Sequence, residues 1–233
     1  MIKSWSFSRL QVFQECPYRA RLAWVDKVPE PERPLPVGKT EHANDRGSRI
    51  HEEAENFVRG KGNLSKELMK FQPEFERLKE LFDTGVVCLE DERAFDHDWQ
   101  PVDWSDPRAW GRLKIDALIR LSTERAVVVD YKTGRKDGNE IKHAKQTQLY
   151  ALVCFLRDPQ LEEIHTELWY LDQNELTRTR YTRKQAMRYL KTFDNGAKKM
   201  TSTIEFKPNP NMYTCRWCPY KEGICPVAWR PNT

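Results

Sequence analysis

Apolar positions recur along this chain in two rhythms, and the change from one to the other divides it. Ser6 to Pro17 opens on capping residues and then places Leu10 and Phe13 at helical spacing, which predicts a short helix that ends near Cys16 or resumes after Pro17. Between Val28 and Gly38 stand Pro29, Pro31, Pro34 and Pro36. Each proline fixes φ and removes a backbone donor, so neither a helix nor a central strand forms there and the segment reads as a connector. Helical spacing returns from about Glu41 to Arg59 and, after a Gly-Lys-Gly break, from about Ser65 to Phe82. From Val86 the period shortens. Val86 to Phe95, Trp110 to Leu121 and Ala126 to Tyr131 are rich in β-branched and aromatic residues and separated by polar turns, which predicts three strands. Ile141 to Leu156 reverts to a helix with a stripe of Leu149, Leu152, Val153 and Leu156. Thr166 to Leu171 and Leu176 to Tyr181 flank a polar turn and predict a hairpin or two neighbouring strands. Thr182 and Gln185 have capping-box spacing ahead of Met187, Leu190, Phe193 and Ala197, so a basic amphipathic helix follows, then a tail rich in Pro and Cys. The order predicts an α/β core with a helical amino-terminal decoration.

Composition narrows the class. Charged residues make up 32% and mean hydropathy is −0.81, but 8 Trp, 8 Tyr and 10 Phe in 233 residues supply a core and exclude a disordered chain. Apolar runs such as Leu149 to Leu156 fall well short of the roughly 20 residues of a membrane span. Met1 to Leu10 mixes Lys3, Ser4 and Arg9 with aromatics rather than forming a secretory signal, so the expected location is the cytoplasm. Residues 174–233 hold 12 Lys or Arg against 4 Asp or Glu, whereas the rest of the chain is net negative. Such a bias suits a polyanionic partner or a solvated helix face. Gly38-Lys39-Thr40 resembles the end of a phosphate-binding loop, but Arg33 occupies the required earlier glycine position and prolines fill the loop, which excludes an NTPase site.

The chemistry centres on two strands. Val127-Val128-Val129 delivers Asp130-Tyr131-Lys132, and the preceding strand carries Asp116 within Gly111-Arg112-Leu113-Lys114-Ile115-Asp116. Residues two apart share a strand face, so Asp130 and Lys132 project together while Tyr131 points away. An apolar strand ending in charge is costly unless the charges are satisfied, and two carboxylates around an oxygen-preferring cation such as Mg²⁺ meet that condition. The arrangement fits metal-assisted phosphodiester hydrolysis, with Lys132 placing a water or stabilising developing negative charge. Gln146 and Tyr150 share a face of the next helix, and Glu92, in the cluster Glu90-Asp91-Glu92, is a further acidic candidate. Cys215-x-x-Cys218 and Cys225 form a second constellation that lacks a fourth ligand. Cys16 is the natural candidate, because Cys88 falls in a strand and Cys154 on a helix's apolar side.

Taken in order, Gly47-Ser48-Arg49-Ile50-His51, Asp116 after a Gly-Arg pair, Asp130-Tyr131-Lys132 and Gln146-x-x-x-Tyr150 resemble the PD-(D/E)XK nuclease superfamily, in particular its RecB-like exonuclease branch. Two departures from the pattern are Ile115 in place of a proline before Asp116 and Asp130 where many relatives carry Glu. The resemblance implies a restriction-endonuclease-like core, a mixed central sheet flanked by helices. It implies metal ligation by His51, Asp116, Asp130 and the Tyr131 main-chain carbonyl with Mg²⁺ or Mn²⁺, a catalytic Lys132, and Gln146 and Tyr150 lining the site toward DNA. Members of that branch, including AddB-type and CRISPR-adaptation nucleases, place one cysteine before the core and three after it around a [4Fe–4S] cluster, which here means Cys16, Cys215, Cys218 and Cys225; four thiolates also suit Zn²⁺.

The expectation is one nuclease domain over 1–233, with a helical part over 1–84, a catalytic α/β core over 85–182, and a basic helix with a cluster-binding tail over 183–233. Its activity would be that of a DNA exonuclease in repair or recombination, acting on single strands or free ends, with a helicase or recombination partner or a homo-oligomer in prospect and no membrane. The alternative is a non-cleaving DNA-binding adaptor subunit that keeps the fold and the metal cluster.

Overall fold

The computed structural model describes residues 1–230, so the last three residues of the tail expected over 183–233 lie outside the described residues. Its elements run α1 (Phe7–Glu15), α2 (Pro17–Trp24), α3 (Ala43–Val58), α4 (Gln72–Asp83), β1 (Val87–Phe95), β2 (Pro101–Val102), β3 (Gly111–Arg120), β4 (Arg125–Lys132), α5 (Glu140–Arg157), β5 (Glu163–Tyr170), β6 (Glu175–Thr182), α6 (Arg183–Met187), α7 (Leu190–Ser202) and α8 (Met212–Arg216). None of these helices is long and apolar enough to cross a membrane. Two compact units result. A terminal unit gathers Met1–Pro34, Trp110–Arg112 and the chain from Lys191 onward, and a sheet unit takes Leu35–Ala109 and Leu113–Leu190.

The sheet has the order β2-β1-β3-β4-β5-β6. β3 pairs antiparallel with β4, β4 parallel with β5, and β5 antiparallel with β6, which makes it the expected mixed sheet flanked by helices. The parallel pair requires a crossover, and α5 supplies it. Leu149 through Phe155 is a continuous buried run, so α5 is covered on nearly all sides. The opposite sheet face packs on α3 and α4, where Ile50, Ala54, Val58, Phe75 and Leu78 meet Val129, Tyr131 and Trp169. Those rings interlock at centroid distances of 5.2 Å for Phe75–Tyr131 and 5.6 Å for Tyr131–Trp169.

Local chemistry sets the boundaries. Pro17 and Pro73 stand in the first turns of α2 and α4. Pro73 shortens the helix expected from Ser65, leaving a 3-10 turn over Met69–Phe71 ahead of it. Thr182 and Gln185 close a capping box, as their spacing predicts. The basic helix is divided, however. The Arg188 and Tyr189 amides bond three residues back, to Gln185 and Ala186, so α6 tightens and stops before α7 begins. Arg183, the first residue of α6, donates to the carbonyls of Phe155, Asp158, Pro159 and Leu161 at and after the end of α5. In the terminal unit, Ser6 caps α1 and Asn211 caps α8, accepting from the Tyr213 and Thr214 amides at 3.0 Å.

Candidate active site and cysteine cavity

Backbone pairing of β3 with β4 runs as far as Ala117 and Val129. Asp116 and Asp130 stand just beyond that last pair, and there Asp116 Oδ2 accepts the Tyr131 amide at 2.7 Å. A side chain thus satisfies a backbone donor at the end of the strand pairing, and two carboxylates are drawn together. Burial, followed by the like charge of Asp130, pushes the Asp116 carboxyl above its ordinary range. Alternation along β4 turns the Tyr131 ring into the aromatic cluster and leaves Asp130 and Lys132 on the α5 face. Asp130 Oδ1 accepts from the Tyr150 hydroxyl at 2.8 Å and the Gln146 amide at 3.3 Å. Lys132 Nζ lies 2.5 Å from Asp130 Oδ2 and donates to Gln146 Oε1 at 2.9 Å.

His51 reaches this corner from α3. One ring nitrogen, Nε2, is 3.1 Å from the Tyr131 carbonyl oxygen and the other, Nδ1, is 3.3 Å from Asp116 Oδ1. Burial opposes a charged imidazole here, but the hydrogen bond and charge of Asp116, aided by Asp130, outweigh it and raise His51 to about 9. Gly47, one helical turn before His51, is where α3 approaches the loop after β4; a Cβ there would meet Thr133 Oγ1 at 3.3 Å. The same loop is fixed by Asp172, which takes a bidentate contact from Arg46 at 2.7 and 3.1 Å and the Gly134 amide at 2.8 Å. Burial would raise Asp172, yet Arg46 and that amide hold it below the usual carboxylate range. A depressed carboxyl stabilises the fold above its unfolded pKa and loses that contribution as pH falls through its folded value. Both side chains are about one-third exposed, so solvent screening trims the effect. Arg46→Ala is therefore expected to lower stability by about 1 kcal/mol at pH 7, and urea denaturation at descending pH should show the gap between variant and wild type closing below about pH 4.

The structure brings His51, Asp116, Asp130, the Tyr131 carbonyl, Lys132, Gln146 and Tyr150 to one corner of the sheet unit, with two differences from expectation. Tyr150 is only 4% exposed and its hydroxyl is engaged by Asp130, so it braces the carboxylate and does not face solvent toward a nucleic acid. Gln146 likewise holds Lys132 and Asp130. The extra acidic side chain is Glu90, not Glu92, which is exposed. Glu90 has φ of 52°, a left-handed conformation that breaks the alternation of β1 and brings its carboxylate within 4.8 Å of ligand atoms of His51 and Asp116. It pairs with Lys114 at 2.8 Å. No spacing rule exposes such a bulge. His143, also unforeseen, bonds the Tyr170 hydroxyl at 3.0 Å and is held near 4 by burial and by Lys132, so it stays neutral.

The second constellation lies in the terminal unit. Cys16, Cys215, Cys218 and Cys225 all line one small cavity, together with Arg19 and Thr214. The Trp229 amide donates to Cys215 Sγ at 3.4 Å. Burial raises the Cys218 thiol, with Cys16 and Cys215 among the neighbours that add to it. Among the described residues, no three of these sulfurs lie within 4.8 Å of one another. Cys154 is buried on α5, where burial lifts its thiol to about 11, and Cys88 is exposed on β1, so neither joins the group.

A family model described as the PD-(D/E)XK nuclease superfamily matches residues 4–226. Among solved structures, the crystal structure of SSO0001 is similar at 17% identity and a TM-score of 0.47, covering 98% of this chain and 88% of that one. The crystal structure of LHK-Exo in complex with dAMP is similar at 13% identity and a TM-score of 0.29, covering 84% and 86%. No curated protein matches the chain.

Proposed function

The chain belongs to the PD-(D/E)XK nuclease superfamily, and from that membership we propose that it is a divalent-metal-dependent DNA exonuclease of the RecB-like branch whose cysteine cavity holds a [4Fe–4S] cluster. One observation carries the reading: Asp116 and Asp130, from adjacent strands, meet His51 and the Tyr131 carbonyl beside the ammonium of Lys132. The donor set fits a hard cation. It is mostly oxygen, and Asp130 Oδ2 is buried without an aligned hydrogen bond even with the ammonium beside it. Mg²⁺ or Mn²⁺ held there supplies a water of lowered pKa and polarises the phosphate.

The remaining work falls to the chain. His51, aimed by Asp116 and the Tyr131 carbonyl, would hold the ion through a neutral imidazole. Lys132, fixed by Gln146, faces the negative charge that builds on the scissile phosphate. Tyr150 and Gln146 prevent Asp130 from rotating, so the carboxylate keeps one orientation through turnover. Glu90, paired with Lys114, would offer such a cation a further carboxylate.

In the cysteine cavity, four thiolates around one opening suit either a [4Fe–4S] cluster or tetrahedral Zn²⁺, and the branch resemblance favours the cluster. Digestion of end-labelled linear and closed circular DNA with Mg²⁺ or Mn²⁺ tests the activity. Stepwise shortening of linear strands with circles left intact is expected; nicking of circles at a comparable rate would replace the exonuclease reading, and no cutting of either would favour a binding subunit.

A further inference from the structure

Tyr213 and Trp217 are the two most exposed aromatic side chains among the described residues, at 79% and 73%. They stand four positions apart along α8 and its C-cap, so they lie on the same side about one turn apart. Between them, Cys215 is buried and turned into the cysteine cavity, and Cys218 also lines it. The segment therefore has an inner side fixed by thiols and an outer side made of aromatic faces. Solvated rings of this size forfeit apolar burial that the terminal unit provides elsewhere, for example at Phe13 against Phe206. The segment is also held in place before anything binds: Asn211 caps α8, Asn209 donates to the Glu15 carbonyl at 2.9 Å, and the Tyr220 hydroxyl donates to the Val28 carbonyl at 2.9 Å.

Charge indicates the occupant. The terminal unit carries 14 Lys or Arg against 7 Asp or Glu, while the sheet unit is net negative. The Arg216 guanidinium lies 5.1 Å from the centre of the Trp217 ring and makes no ion pair among the described residues, so it is available to a phosphate. Exposed rings for base faces, beside free positive charge for the backbone, are what a single strand requires; a paired duplex hides its base faces and cannot use the rings.

We propose that Tyr213, Arg216 and Trp217 form a stacking platform for single-stranded DNA, a substrate-binding surface on the terminal unit that engages unpaired nucleotides through their base faces. The choice of DNA rests on the nuclease reading above; the stacking surface itself does not. Each ring takes one base, and Arg216 neutralises the phosphate between neighbouring nucleotides.

Photocrosslinking in the wild-type protein tests this directly. A thymidine oligomer with 5-iodouracil in place of some thymines is bound without added divalent ions, irradiated, and the crosslinked peptide mapped. Crosslinks to Tyr213 or Trp217 are expected, and crosslinks confined to other segments overturn the proposal. Binding of a fluorescein-labelled thymidine oligomer then separates stacking from shape. Trp217→Ala and Tyr213→Ala should each weaken it about tenfold, Trp217→Phe should restore most of it, and Trp217→Leu, which keeps apolar bulk without the ring face, should not. Equal binding by Trp217→Leu and wild type, or an equal loss on blunt duplex DNA, defeats stacking. The two readings fail separately. Crosslinks at the platform in a protein that never cuts DNA with Mg²⁺ or Mn²⁺ remove the nuclease assignment and leave the surface, whereas cutting without such crosslinks removes the surface alone.

Discussion

Asp116→Ala and Asp130→Ala are each expected to lower DNA cleavage by about a thousandfold or more, because a metal-stabilised transition state is worth several kcal/mol and the remaining ligands would not hold the ion in a reactive geometry. The loss should exceed that of Gln146→Ala, which disturbs Lys132 and Asp130 only through their orientation. Asparagine variants sharpen the test. Asn at 116 still accepts the Tyr131 amide, and it removes the repulsion between two buried carboxylates that pushes Asp116 upward. Metal-free Asp116→Asn, which trades that repulsion against the lost ion pair with His51, is expected to melt close to wild type while losing both cleavage and the rise in melting temperature that Mn²⁺ gives the parent. A catalytic loss explained by unfolding would lower the metal-free melting temperature as well, and thermal melts with and without Mn²⁺ separate the two.

The second large effect falls on the other unit. Replacing Cys16, Cys215, Cys218 or Cys225 by Ser is expected to abolish the brown iron–sulfur absorbance of anaerobically purified protein and to cost several kcal/mol of stability, since a bound metal centre contributes its binding free energy to folding. The site joins Cys16, at the end of α1, to a tail that contributes Cys215 and Tyr220 to the buried set but leaves Met212, Val227 and Trp229 exposed. Cys88→Ser and Cys154→Ser serve as controls and should keep the absorbance. A colourless wild-type preparation containing stoichiometric zinc would transfer the same stability argument to zinc and remove the cluster.

How much of this is legible in sequence depends on how local the determinant is. Period-two alternation reveals that Asp130 and Lys132 share a face, because strand geometry fixes it within three residues. The Cys-x-x-Cys pair and the Thr182–Gln185 capping box are equally short-range and equally readable. His51 is not readable from spacing: its place depends on α3 packing across β4, eighty residues away, and only the family resemblance points to it. Glu90 escapes for another reason, since the left-handed residue that redirects it is neither Gly nor Asn and leaves no compositional mark. Gln146 and Tyr150 share a helical face as their spacing predicts, but spacing does not report that Asp130 engages the buried Tyr150 hydroxyl. The terminal unit is built from both ends of the chain, and nothing in either end alone marks the other as its partner.

The central claim is that side chains 51, 116 and 130 and the carbonyl of residue 131 hold a common divalent ion. Mn²⁺ titration by calorimetry, on wild type and on the Asp116→Asn, Asp130→Asn and Lys132→Ala variants, measures that directly. A saturable site is expected in wild type, retained in Lys132→Ala and lost in both asparagine variants. Mn²⁺ binding of unchanged affinity in Asp116→Asn and Asp130→Asn would contradict it.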